Sequence, residues 1–267
     1  MTGTAVTTGT GTAGTTTAGR TIALARAELT LLGRTKATLA AAVFVPLALP
    51  FTLRSTVDQM NLKGTGLTVG AILLPSSIGF ALLFAVYSSL VTVYAARREE
   101  LVLKRLRTGE LRDTEILAGA ALPSVAIGLA QCLILAVAYQ VTLGVGAPRA
   151  PHLVLLGLLL ALVTWPALAA VTAGFSRSIE GAQVAATPLT LVSLVGSGTF
   201  IPLEMLPDGM ASFCELLPLT PVITLIRGGW TGHLSAHNTV GAVVTAVAWT
   251  VIAVFAVRRW FRWEPRR

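Results

Sequence analysis

Charge is scarce in this sequence and is missing altogether from its longest segments. Only 12% of the 267 residues are Asp, Glu, Lys or Arg, against 54% hydrophobic, with a mean hydropathy of +0.76. A soluble domain carries about twice that share of charge, so the composition excludes one. No glycine-rich lysine loop of the kind that cradles nucleotide phosphates is present, which excludes ATP hydrolysis by this chain alone. The HExxH and GxSxG patterns are missing too, which weakens the case for a membrane-bound enzyme. The two cysteines, Cys132 in an apolar segment and Cys214 in a distant loop, form neither a disulfide framework nor a metal-ligand spacing and read as packing residues. Residues 1–19 have no charge and no continuous apolar core, so they resemble no signal peptide and are expected to be a disordered tail.

Six stretches without a charged residue or histidine follow, at about 37–53, 67–96, 116–143, 153–175, 183–201 and 240–257. Each is near or above the roughly 17–25 residues that carry a helix across hydrocarbon. Pro46 and Pro50 predict a kink in the first span. Ahead of it, residues 20–36 hold Ile22, Ala25, Leu29 and Leu32 at helical spacing among Arg26, Glu28, Arg34 and Lys36, the pattern of an amphipathic helix lying on the membrane surface. Ion- or proton-coupled transporters place an ionisable group inside the bilayer, and these spans offer none, so coupling energy is expected to enter elsewhere.

The basic residues fix the orientation. Sixteen Lys and Arg fall in the N-terminal segment, the 97–115 connection, the 176–182 loop and the 258–267 tail, against four in the opposite loops. That asymmetry predicts cytoplasmic termini at the cell membrane. The net charge of +8 sits at the ends of apolar segments, where it serves topology and anionic lipid headgroups, and nucleic-acid binding is not expected. The outer connection 202–239 is punctuated by Pro207, Pro218 and Pro221 and predicts two short helices dipping into the outer leaflet. His233 and His237 are four apart but have no third ligand, so an exposed loop is the better reading and no metal site is assigned.

The 97–115 elbow packs eleven charges into nineteen residues. Val102, Leu103 and Leu106 share one helical side, with Arg98, Glu99, Lys104, Arg105 and Arg107 as polar surface around them. Thr108-Gly109 interrupts that helix, and Asp113 and Glu115 sit where the next one should start. A solvated loop that only fixes topology is the competing reading. Inside the spans the remaining polar groups are hydroxyls, amides and phenols, most of which serve helix pairing in membrane bundles.

Three passages carry a family resemblance: Arg98-Glu99-Glu100 with Leu103-Lys104-Arg105-Leu106-Arg107 and Glu115-Ile116-Leu117-Ala118-Gly119; Ser197-Gly198-Thr199-Phe200-Ile201-Pro202-Leu203-Glu204-Met205-Leu206-Pro207; and Leu216-Leu217-Pro218-Leu219-Thr220-Pro221. In order and spacing they resemble the ABC-2 family of ABC transporter permeases, from about Arg20 to the C-terminus. The resemblance implies an all-α integral membrane fold of the type V exporter kind: six transmembrane helices, an N-terminal interfacial helix, a cytoplasmic coupling helix and outer-leaflet re-entrant helices. It implies a permease without catalytic residues or a cofactor of its own, ATP and Mg being held by a separate ABC ATP-binding subunit, and pairing with a second permease copy or paralogue. The ATPase-coupling residues it implies are Arg98, Glu99, Glu100, Val102, Leu103, Arg105, Leu106 and Glu115. Spans two and five are expected to line the conduit, with Tyr87, Ser88, Ser89, Thr92, Ser193, Ser197 and Thr199 as candidates. The nearest kind is the drug- and antibiotic-export permease, moving a hydrophobic or amphipathic substrate outward by alternating access. A lipid or polysaccharide exporter is the alternative, and a channel-like or structural membrane protein a further one. The sequence departs from the family at Leu101-Val102, where Gly-Thr is common, and at Gly109-Glu110, where Pro is.

Overall fold

The computed structural model describes residues 68–102, 113–199, 203 and 206–261. The tail at 1–19, the surface helix expected at 20–36, the first span and most of the elbow, with Leu103, Arg105 and Leu106, lie outside the described residues. Among those described, every regular element is a helix. α1 (Val69–Leu82) runs through a wider π turn (Leu83–Ser88) into α2 (Ser89–Glu99), followed by α3 (Asp113–Leu143), α4 (Pro151–Phe175) and α5 (Ile179–Gly196). The short α6 (Asp208–Glu215) and α7 (Thr220–Thr231) precede α8 (Ala236–Trp260). Five of these, counting α1 to α2 as one rod, are long and apolar enough to cross a membrane, and α6 with α7 makes a pair bent by 94°. The fold is thus an all-α, multi-pass membrane bundle.

The α1–α2 rod is the axis of the bundle. Its 31 residues span about 46 Å at 1.5 Å per residue, more than the ~30 Å of hydrocarbon, a length that a tilt or a projection beyond the apolar layer accommodates. Ile72, Leu74, Ile78, Leu82, Leu83, Val86, Leu90 and Val91 are all buried, because α3, α4, α5 and α7 surround the rod. Trp165 of α4 is fully buried against Tyr87, with ring centroids 5.6 Å apart. Between spans, hydrogen bonds pair hydroxyls: Ser77 with Tyr139 at 2.9 Å and Thr164 with Thr250 at 2.6 Å. Such bonds bind helices where hydrophobicity provides no driving force.

The helix ends follow local chemistry. Ser178 caps α5, its Oγ accepting from the Gly181 amide at 3.0 Å, with Glu180 in the first turn. The helix therefore begins before the uncharged stretch at 183 and stops at Gly196, short of 201, where Gly198 turns the chain at φ 73°. Ser235 caps α8 in the same way, which places His237 in its first turn and His233 outside it. α7 ends on Gly232 at φ 72°, a left-handed cap that suits glycine.

The end of the bundle opposite the elbow is clasped by α7. The Ala150 amide donates to the Gly229 carbonyl at 2.8 Å, Trp230 Nε1 donates to Gly146 at 3.1 Å, and Arg149 donates to Thr231 at 3.3 Å. Trp249 Nε1 of α8 donates to the Leu216 carbonyl at 2.7 Å, at the bend between α6 and α7.

Candidate functional site

Two regions hold the residues singled out from the sequence. The first is the band where α2 meets α5. Most of its hydroxyls face neighbouring helices: Tyr87 Oη pairs with Thr172 of α4 at 3.0 Å, and Ser89 Oγ with Ser124 of α3 at 3.1 Å. Ser88 is half-buried and its carbonyl accepts from Thr92 Oγ1 at 3.3 Å. Thr92 Oγ1 also accepts from Gln183 Nε2 of α5 at 3.4 Å, so span two and span five do share one polar edge.

On α5 the sequence candidates and the open face differ. Ser193, Ser197 and Thr199 are all buried, at 0%, 1% and 4% exposure, and their hydroxyls have no hydrogen-bond partner. Gly196 beside them packs on Leu217 and Cys214. The open stripe is instead Gln183, Val184, Thr187, Pro188, Leu191, Val192 and Val195, recurring at three- and four-residue intervals. Gln183 and Thr187 stand beside Val184 and Pro188 near the start of the helix, and towards its end the stripe is wholly aliphatic. Gln183 and Thr187 lie near the start of α5, away from the denser run of hydroxyls at Ser193, Ser197 and Thr199, of which only Ser193 is on the helix. Their four-residue spacing is the signal that would have found them.

The second region is the end of the bundle where α2 leads into the elbow. Glu100 is exposed, Val102 and Glu115 are half-buried, and Tyr94 Oη donates to the Leu117 carbonyl at 3.0 Å. Arg98 does not lie on the polar surface expected from its charged neighbours. It is 3% exposed and donates to the carbonyls of Ala173 and Ser176, the latter at 3.1 Å, at the end of α4. Its guanidinium lies over the Phe261 ring, 5.9 Å from the centroid. Glu99 turns the other way, and its Oε1 accepts from the Ile179 amide at 2.8 Å, the first residue of α5. Leu101 then leaves the helix at φ 58°, a left-handed conformation costly for a side-chain-bearing residue. Glycine would adopt this backbone without that cost.

Uncharged hydroxyl and amide groups on an outward-facing helix surface suit contact with a partly polar solute or with water. Thr187 Oγ1 already donates to the Gln183 carbonyl at 3.0 Å and Gln183 Nε2 to Thr92, so it is the rest of the exposed Gln183 amide that hydrocarbon alone would leave unmet. A family model described as ABC-2 type transporter matches residues 20–230. No curated protein matches the chain.

Proposed function

Because the chain belongs to the ABC-2 type transporter family and is a permease subunit served by an ABC ATP-binding partner, we propose that it exports an amphipathic, drug-like molecule. Export proceeds by alternating access across the cell membrane, with both termini in the cytoplasm. The observation that carries this reading is the stripe on α5, where Gln183, bonded to Thr92 of α2, and Thr187 stand beside Val184 and Pro188 near the helix start and give way to Leu191, Val192 and Val195. A wall that offers amides and hydroxyls at its inner part and aliphatic side chains further out matches a solute with a polar part and an apolar part. The stripe faces away from the chain's own bundle, so a second permease, copy or paralogue, completes the conduit across it. The apolar outer part also suits the acyl chain of a lipid-linked saccharide, which is the second reading.

The partner ATPase docks on the elbow, with Val102, Leu103 and Leu106 as apolar anchors and Glu100 and Arg105 at the rim. Leu106→Asp tests this directly, since it puts an unpaired charge into such a contact, at a cost of several kcal/mol. The complex is purified with its ATPase and reconstituted into vesicles, and ATP-dependent movement of amphipathic dyes is followed. Loss of the ATPase from the mutant complex is the expected outcome. A full complement of ATPase with normal transport would return the elbow to a topology signal.

A further inference from the structure

At the inner end of α2, two consecutive residues of opposite charge hold the ends of two other helices. Arg98 meets the carbonyl end of α4, at Ala173 and Ser176, and Glu99 meets the amide end of α5, at Ile179. A helix carries partial negative charge at its carbonyl end and partial positive charge at its amide end, so both pairings have the favourable sign. A buried guanidinium is tolerated only where carbonyls replace its water, and here they do, with Phe261 covering one face. Gly174 leaves room for that ring: a Cβ there would lie 3.2 Å from it. The loop between α4 and α5 is thus bonded at both ends to the residues from which the elbow departs.

We infer that Arg98 and Glu99 are positioning residues that carry elbow movement to α5, acting inside the permease rather than on the ATPase. The inference rests on the exporter reading above. Glu99 grips α5 at its first residue, and Gln183, at the start of the conduit stripe, lies one helical turn further on. A shift of the elbow pulls on α5 through that bond, while Arg98 keeps the end of α4 in step. A carboxylate accepting a backbone amide is among the stronger hydrogen bonds, which suits a connection that must bear a displacement.

The rival account is that Glu99 merely caps α5. Ser178 separates the two, because its Oγ also caps α5, bonding Gly181 at 3.0 Å, but it belongs to the loop and makes no link to α2. The reconstituted complex with its ATPase is measured for ATPase content, melting temperature and substrate moved per ATP hydrolysed. Glu99→Ala should keep its ATPase and lower substrate moved per ATP about ten-fold, the scale set by losing one charge-assisted bond. Glu99→Gln, whose amide oxygen can still accept from Ile179, should restore most of the ratio, and Ser178→Ala should leave it unchanged. Arg98→Lys keeps the charge, but its side chain stops an atom short of Nη1, which serves both carbonyls, and lacks the planar group over Phe261, so it should fall between wild type and Glu99→Ala. Equal uncoupling by Ser178→Ala would reduce Glu99 to a cap and overturn the inference. Loss of the ATPase from Glu99→Ala would overturn it by assigning Glu99 to docking. A wild-type complex that binds no ATPase would overturn the exporter reading itself.

Discussion

Replacing Gly229 by alanine tests how the bent pair of α6 and α7 is anchored. A Cβ at Gly229 would lie 2.5 Å from Val154 Cγ2, 2.9 Å from the Val154 amide nitrogen and 3.0 Å from the Ala150 carbonyl oxygen. The valine methyl can shift, but the other two atoms are backbone, and the Ala150 amide is itself bonded to the Gly229 carbonyl at 2.8 Å. α7 must therefore retreat by about half an ångström, a gap that forfeits about a quarter of the dispersion well along its seam with α4. Overpacking of this kind costs about 1–3 kcal/mol, and the upper end is expected where no side chain can absorb it. For a chain of this size, about 3 kcal/mol lowers Tm by roughly 6–12 °C. Unfolding in detergent can be followed with a thiol-reactive dye, because Cys132 and Cys214 are both buried and become reactive as the bundle opens. Gly241 of α8 is the internal control, with nothing within 4 Å of its Cβ, and Gly241→Ala should melt at or slightly above the wild type. A Gly229→Ala protein melting within about 1 °C of wild type would refute the close approach of α7 to α4.

The conduit reading distinguishes two faces of one helix. Gln183→Trp and Thr187→Trp, on the open stripe, should impair export while membrane expression is kept, whereas Ser193→Trp, at 0% exposure, should lose expression instead. Unchanged export in both stripe mutants would place the conduit elsewhere. Topology is tested with single cysteines in a cysteine-free background: one at Ser235 should react with an impermeant reagent from outside and one at Thr108 should not, and the reverse pattern would sink the assigned orientation. At Leu101, φ 58° costs about 1–2 kcal/mol, which glycine relieves while gaining about 0.5–1 kcal/mol of unfolded-state freedom, so Leu101→Gly should melt at or slightly above wild type. Leu101→Pro cannot adopt that φ and loses the amide bond to the Arg98 carbonyl, so it should melt markedly lower; a wild-type melting curve would contradict the left-handed turn.

The helical class and the membrane setting were legible because they depend on composition, which needs no neighbours. Helix ends were partly legible. Asp113 and Glu115 marked the start of α3, but counting uncharged residues hid the start of α5, since its first turn contains Glu180 and its cap is Ser178. The bend between α6 and α7 was foreshadowed by Pro207, Pro218 and Pro221. Arg98 could not be read correctly in one dimension. Its neighbours Arg97, Glu99 and Glu100 are charged, so it looks solvated, and only the arrival of α4's carbonyl end and Phe261 makes its site buried. The hydroxyls near the end of α5 are a related case: residue type marks Ser193, Ser197 and Thr199, which are buried, whereas helix phase leaves Gln183 and Thr187 on the outward face.

The π turn at Leu83–Ser88 has a genealogical consequence. It is closed by a bond from the Ser89 amide to the Phe84 carbonyl, five residues back, and such a turn takes up one residue more than an α-helical path would. The central rod thus holds one residue more than an α-helical path of the same length would. Removing it would rotate everything beyond by about 100°, the angle one residue spans in an α-helix. Ser89 and Thr92 would then leave Ser124 on α3 and Gln183 on α5. A relative one residue shorter within 83–88 should therefore also differ at 124 and 183, so that the gap and its partners are inherited together.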